Sequence, residues 1–129
     1  MQMEELVSAV RQTTGLDHEQ AVRAIHATVR VLGTRLAGGQ TGNLGSQLPA
    51  DLAEELPAEG PGERIDVEEF YRRVAEAEGG DCTEQQARQH ARATLAAFKV
   101  ALSGREFDHV AAQLPPDYAD LLTTEPVQH

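Results

Sequence analysis

The sequence predicts an all-α protein, a helical bundle made of two tandem, pseudo-symmetric helical units that share one core. Three observations carry that expectation. Nine residues (Ala21, Thr28, Leu36, Gly38, Gln47, Leu48, Pro49, Asp51 and Leu56) recur as Ala87, Thr94, Leu102, Gly104, Gln113, Leu114, Pro115, Asp117 and Leu122, always 66 positions on. Within each copy, apolar residues return at spacings of three and four, which lines them along one helix face. The chain has 129 residues. That is enough for one core, whereas separate domains of about 60 residues would each bury little surface.

Each copy opens with a helix of about three turns. In the first copy it covers residues 3–14, with Leu6, Val7 and Val10 inward and Gly15 closing it in the left-handed conformation that glycine adopts without a Cβ clash. In the second copy it covers residues 66–78, with Asp66 as cap and Val67, Phe70, Tyr71 and Val74 inward. Here the offset is 64, and the two extra residues fall in the turn Gly79-Gly80-Asp81-Cys82.

The second helix is the best specified. Asp17 and Thr83 are N-cap candidates, each followed three residues on by Gln20 or Gln86. In that arrangement cap and glutamine satisfy each other's backbone amides, and a cap is worth about 1 kcal/mol. Ala21, Ile25, Thr28, Val29, Leu32 and Leu36 share a face, as do Ala87, Ala91, Thr94, Leu95, Phe98 and Leu102. The helices are expected to end near Ala37 and Ser103, with Gly38 and Gly104 as breakers.

After the long helices the copies diverge. Gly39, Gly42 and Gly45 predict a frayed helix or a loop over residues 39–46, whereas the second copy reads as a short helix with Phe107, Val110 and Leu114 inward. A last short helix is expected to start at Pro49 and at Pro115, since proline at the first position gives up only an unpaired amide. Asp51 and Asp117 follow in the first turn, where the helix dipole favours an acid. Repeat one thus spans 3–56 and repeat two 66–122, joined by a linker at 57–65 whose proline- and glycine-rich part, 57–64, reads as exposed, and the tail from residue 123 reads as loosely held.

The twofold Gln-Leu-Pro-x-Asp pattern, at Gln47 to Asp51 and Gln113 to Asp117, inside matching helical contexts, makes the chain resemble the bacterial family known as domain of unknown function 2267 (DUF2267). The resemblance runs from about Leu6 to Leu122. It implies an all-helical, cytoplasmic protein and brings no assigned catalytic residue. The chain departs from the family pattern at Thr41-Gly42-Asn43, where no apolar residue stands opposite Phe107.

Charge narrows the partners. With 21 acidic and 11 basic residues the net charge is −10, a field that repels phosphate backbones and makes nucleic acid and anionic membranes unfavourable partners. The start has no basic region followed by an apolar run, and no long uncharged apolar stretch occurs, so neither a leader nor a membrane span is expected. The single cysteine excludes an internal disulfide and fits a reducing compartment.

Four residues are candidates for function: His90, Cys82, Asp108 and His109. His90 stands on the flank of the inward face, where the first copy has Ala24. It reads as a packed histidine or as a ligand or base completed by a distant acid. Cys82 precedes a helix start, where dipole and free amides lower a thiol pKa if the sulfur reaches them; an inert structural cysteine is the plainer reading. Asp108 and His109 are neighbours able to form a local polar contact, His26 reads as surface, and His129 is terminal.

No two histidines lie three or four apart and no zinc-protease or zinc-finger pattern is present, so no metal ligand, no cofactor and no catalytic residue are assigned. The acids Glu4 and Glu5, Glu54 and Glu55, Glu68 and Glu69, and Glu76 and Glu78 do not share a helix face within each pair and read as solvated. Residues 38–45 have phosphate-loop glycine spacings but neither the lysine nor the strand such a loop needs. Arg23 and Arg30, like Arg92 and Lys99, form short basic stripes suited to pairing with acids of neighbouring helices or to holding an acidic partner.

The leading functional expectation is a non-enzymatic interaction or structural protein, acting with a protein partner or as a homodimer. Its motives are the surface charge and the lack of a polar cluster. The alternative is a small enzyme or ligand-binding domain with a site between the two repeats near His90. Local nucleic-acid regulation would require basic residues to cluster against the net charge. Differences between the copies, at residues 39–46, His90 and the Cys82 turn, are where function is to be sought.

Overall fold

The computed structural model describes residues 2–36, 42–56 and 62–123. The order is α1 (Met3–Thr14), α2 (His18–Leu36), α3 (Gly42–Gln47), α4 (Ala50–Ala53), α5 (Val67–Glu78), α6 (Glu84–Ala101), α7 (Gly104–Ala112), a 3-10 turn (Pro116–Tyr118) and α8 (Ala119–Leu122). The protein is an all-α bundle, with no strand among the described residues. None of their helices is long and apolar enough to cross a membrane.

The local signals act as expected at α1, α2, α5 and α6. Leu6, Val7 and Val10 are buried, and Gly15, at φ 77°, ends α1 by donating its N–H to the Arg11 carbonyl. Asp66 Oδ1 accepts from the Glu69 N–H at 2.8 Å and caps α5. Asp17 Oδ1 accepts from the Gln20 N–H at 2.8 Å while Gln20 Oε1 accepts from the Asp17 N–H at 3.1 Å. Thr83 and Gln86 repeat the exchange at 3.1 and 2.9 Å at the start of α6. Thr83→Ala is expected to lower stability by about 1 kcal/mol, read as a fall in the urea midpoint at unchanged slope. An unmoved midpoint would mean that water serves these amides as well as the threonine does.

α2 and α6 form the centre. α6 packs on α1, α2 and α5, and α2 on α1, α5 and α6. Enclosed on more than one side, both bury more than the expected stripe: Ala24, Ala27 and Val31 in α2, and Ala93, Ala96 and Ala97 in α6. Alanine gives α6 a thin wall, so its neighbours approach closely. The two buried threonines keep their hydroxyls satisfied within their own helices, Thr28 donating to the Ala24 carbonyl and Thr94 to the His90 carbonyl, each at 2.8 Å.

Several local expectations are corrected or sharpened. Gly104 does not break a helix: α6 ends at Ala101, and Ser103 caps α7 by accepting from the Glu106 N–H at 3.1 Å, so Gly104 is its first residue. Residues 42–47 are helical despite their glycines, because Leu44 is fully buried and α3 has α4 and α7 to pack on. Pro49 flanks α4 rather than entering it, and Pro116, not Pro115, is the first residue of the 3-10 turn. Asp117 stands in the first turn of that 3-10 segment as expected, and its Oδ2 also accepts from the Val67 N–H of α5 at 2.9 Å. Within the linker, Glu63 and Arg64 are exposed as expected, but Gly62 lies against the end of α2. A Cβ there would overlap the Arg35 carbonyl oxygen and stand 3.1 Å from that of Leu36. Residues 37–41 and 57–61, and the tail beyond 123, lie outside the described residues.

Candidate functional site

The corner between α5 and α6 brings three chemically active side chains together. Glu78 is the last residue of α5, Cys82 stands in the turn just before the Thr83 cap, and His90 is two turns into α6. Gly79 and Gly80, at φ 77° and 62°, form the turn that folds one helix back beside the other. His90 Nδ1 then lies 2.9 and 3.0 Å from the two carboxylate oxygens of Glu78. The side chains are 12% and 6% exposed. Cys82 completes the group: one ligand atom from each of Glu78, Cys82 and His90 lies within 4.8 Å of the others.

The thiol is not activated. Burial, and then the neighbouring Glu78 charge with its hydrogen bond, push Cys82 up to about 11. The amides at the start of α6 that would have lowered it are turned to the Thr83–Gln86 cap, and Sγ lies 3.6 Å from the Thr83 carbonyl oxygen instead. At neutral pH Cys82 is therefore a protonated thiol beside a carboxylate. A cation placed among the three groups would reverse that preference.

The matching corner between α1 and α2 lacks this chemistry. Thr14 ends α1 as Glu78 ends α5, Leu16 precedes the Asp17 cap as Cys82 precedes Thr83, and Ala24 follows that cap by seven residues as His90 follows Thr83. Thr14 Oγ1 turns back to the Val10 carbonyl at 2.7 Å, and Ala24 is fully buried. A Gly-containing turn, a capping box and small or apolar side chains therefore suffice to build such a corner.

Of the four sequence candidates, His90 and Cys82 are brought together. Asp108 and His109 are exposed on α7 and belong to no such group. The reading of Glu78 as a solvated acid is corrected: it is buried because the α5 terminus packs against α6 and offers it an imidazole. All three residues lie on α5, α6 and the turn between them. His26 is not simply a surface residue; it lies 3.3 Å from Asp51 and 3.7 Å from Glu55, 29% exposed.

The arginines of α5 are structural partners of nearby acids. Arg72 pairs with Glu69 and Glu76, and Arg73 with Glu69 and Glu63. Hydrogen bonds from Arg72 and then Arg73 hold Glu69 down at about 2. The positive charge of α5 is thus answered in place and forms no free basic patch.

These helices and their corners coincide with a family model described as an uncharacterized conserved protein (DUF2267), which matches residues 3–121. The chain belongs to this family. No curated protein matches it. The match includes Glu78, Cys82 and His90, so the candidate site lies inside the family domain.

Proposed function

We propose that this protein is a ligand-binding domain whose site is the Glu78–His90 pair with Cys82 beside it. The observation that carries this reading is the burial of a carboxylate and an imidazole against each other, next to a thiol, at a corner that the fold can build without them. Replacing both members of a buried hydrogen-bonded pair by apolar groups of the same shape is nearly neutral or stabilising, so the fold alone gives little reason for one. Thr14, Leu16 and Ala24 at the matching corner supply the apolar alternative.

The same comparison supports reading the chain as two diverged copies of one helical unit, residues 3–56 and 66–122 joined by 57–65. The paired helices are 12 and 19 residues long, then 12 and 18. The caps and buried threonines recur in register. On this reading the second copy carries the chemistry and the first keeps its scaffold.

Of the two motives for association with a partner, the lack of a polar cluster no longer holds, while the acidic surface remains. Among the described residues Val100, 71% exposed, is the one large apolar side chain that stands out to solvent. A single residue is far short of the several hundred Å² that mark an association face.

Nuclear magnetic resonance of the histidine rings tests the ligand-binding reading. The chain has five histidines. In titrations with phosphate, short carboxylic acids and divalent metal ions, at least one class is expected to move the His90 ring signals while those of His109 and His18 stay in place. If every probe leaves His90 unmoved, the site is not a ligand site.

A further inference from the structure

We propose that Glu78, Cys82 and His90 bind a divalent transition-metal ion of the zinc type, with a fourth coordination position open to solvent. The inference rests on the ligand-binding reading above and names its ligand. The donor set comes first. Thiolate sulfur selects zinc and its soft or borderline neighbours over magnesium and calcium, imidazole suits the same ions, and a carboxylate completes many such sites.

Geometry supports it. Zinc bonds of about 2.0–2.3 Å in a tetrahedron place ligand atoms about 3.3–3.8 Å apart. The three candidate atoms already lie within 4.8 Å of one another. The remaining gap is about 1 Å, within reach of side-chain rotation. Glu78 ends its helix and Cys82 lies in the turn after Gly79 and Gly80, so neither is held by flanking helical turns on both sides.

Burial gives the ion a reason to bind and a way in. Glu78 and His90 are nearly enclosed, which strengthens their attraction for a cation, while Cys82 is only partly buried and leaves the mouth accessible. Coordination releases the thiol proton to solvent and uses the imidazole in its neutral form, through the ring nitrogen that carries no hydrogen, so that the carboxylate–thiolate repulsion becomes shared attraction to the ion. Three protein ligands leave one position for water or a substrate oxygen, the arrangement of reactive zinc centres rather than of closed structural ones.

Cobalt(II) is the test probe, because it takes the same geometry and absorbs. The full chain, reduced and freed of metal by a chelator, is titrated with cobalt chloride and then with zinc chloride. The expected result is a thiolate-to-cobalt charge-transfer absorption with the intense visible bands of a tetrahedral site, both removed by zinc. Cys82→Ser is expected to abolish the charge-transfer band, and Glu78→Gln and His90→Ala to weaken cobalt binding by at least about tenfold. Circular dichroism of Cys82→Ser, a change in a turn, establishes that a lost band is not a lost fold.

A wild-type protein without a charge-transfer band overturns the inference. So does a cobalt signal kept in Cys82→Ser but lost in His26→Ala, which would place the ion at Asp51 and Glu55 instead. If phosphate or a carboxylic acid moves the His90 ring signals and cobalt gives no such band, the metal is wrong and the ligand-binding reading stands. If no probe of either kind reaches His90, both fall.

Discussion

Tyr118→Ala is expected to cost about 3–5 kcal/mol, the range for removing a large aromatic side chain from a core. Tyr118 is fully buried, and its ring meets Phe70 edge to face at a centroid separation of 5.7 Å. The Arg35 guanidinium lies 5.8 Å from the ring centroid. One side chain therefore joins the turn before α8 to α5 and to the end of α2. Its hydroxyl donates to the Ile65 carbonyl at 2.7 Å, just ahead of the Asp66 cap. Burial pushes this phenol up to about 12, so it remains a donor throughout the neutral range.

Tyr118→Phe separates the two contributions. It keeps the ring and strands the Ile65 carbonyl, a loss of about 1–3 kcal/mol. Urea unfolding of both variants checks the order. If the phenylalanine protein is as unstable as the alanine one, the hydrogen bond rather than the packing holds this end of the bundle. A domain of this size has only about 5–15 kcal/mol of stability in all. The alanine variant is therefore expected to be partly unfolded at moderate temperature.

What the sequence made legible follows from how each signal is written. Leu6, Val7 and Val10, or Phe70, Tyr71 and Val74, are periodic, and periodicity survives without knowledge of the partner helix. Asp17 with Gln20 and Thr83 with Gln86 are contacts between residues three apart, so their spacing is almost the contact itself. The missed features depend on what lies across space. Glycines argued against α3, but Leu44 is fully buried, and packing overrode propensity. Ser103 and Gly104 could each mark a helix end or a helix start, and the start at α7 won.

The candidate site shows the same division. His90 stood out because the first copy has Ala24 in its place, and Cys82 because it stands in a turn just before a helix start, both written in the chain. Their meeting with Glu78 did not stand out, because the three are separated by a turn and follow no helical spacing. Glu78 looked like one more acid in the run from Glu68. Only the fold-back at Gly79 and Gly80 distinguishes it from Glu76, which faces Arg72. The spacing from a carboxylate at a helix end, through a cysteine before the next cap, to a histidine two turns on was the signal available.

Asp120→Asn is expected to destabilise the protein by about 1–3 kcal/mol at neutral pH, and the loss is expected to vanish in acid. Arg88 grips the carboxylate through two hydrogen bonds, at 2.9 and 2.7 Å, and the Tyr71 hydroxyl adds a third at 2.7 Å. These bonds tie α8 to α5 and α6. The side chains of Arg88 and Asp120 are about a third exposed, 34% and 36%, so water screens the pair and the value stays at the level of a few hydrogen bonds. The Arg88 hydrogen bond holds the Asp120 carboxyl below its ordinary 3.8 against the next-largest effect, burial, which opposes it, and the Tyr71 hydroxyl adds to the lowering. A depressed carboxyl stabilises the fold at pH above its unfolded value, and that stability disappears as pH falls through the folded value. Wild type and Asp120→Asn should therefore differ most at pH 7 and converge below about pH 4 as Asp120 takes up its proton. The difference between the two proteins removes the background titration of Glu69 and other acids common to both. Urea midpoints measured from pH 7 down to pH 3 give the comparison. A gap that persists undiminished at pH 3 would show that the geometry of the carboxyl, not its charge, secures α8.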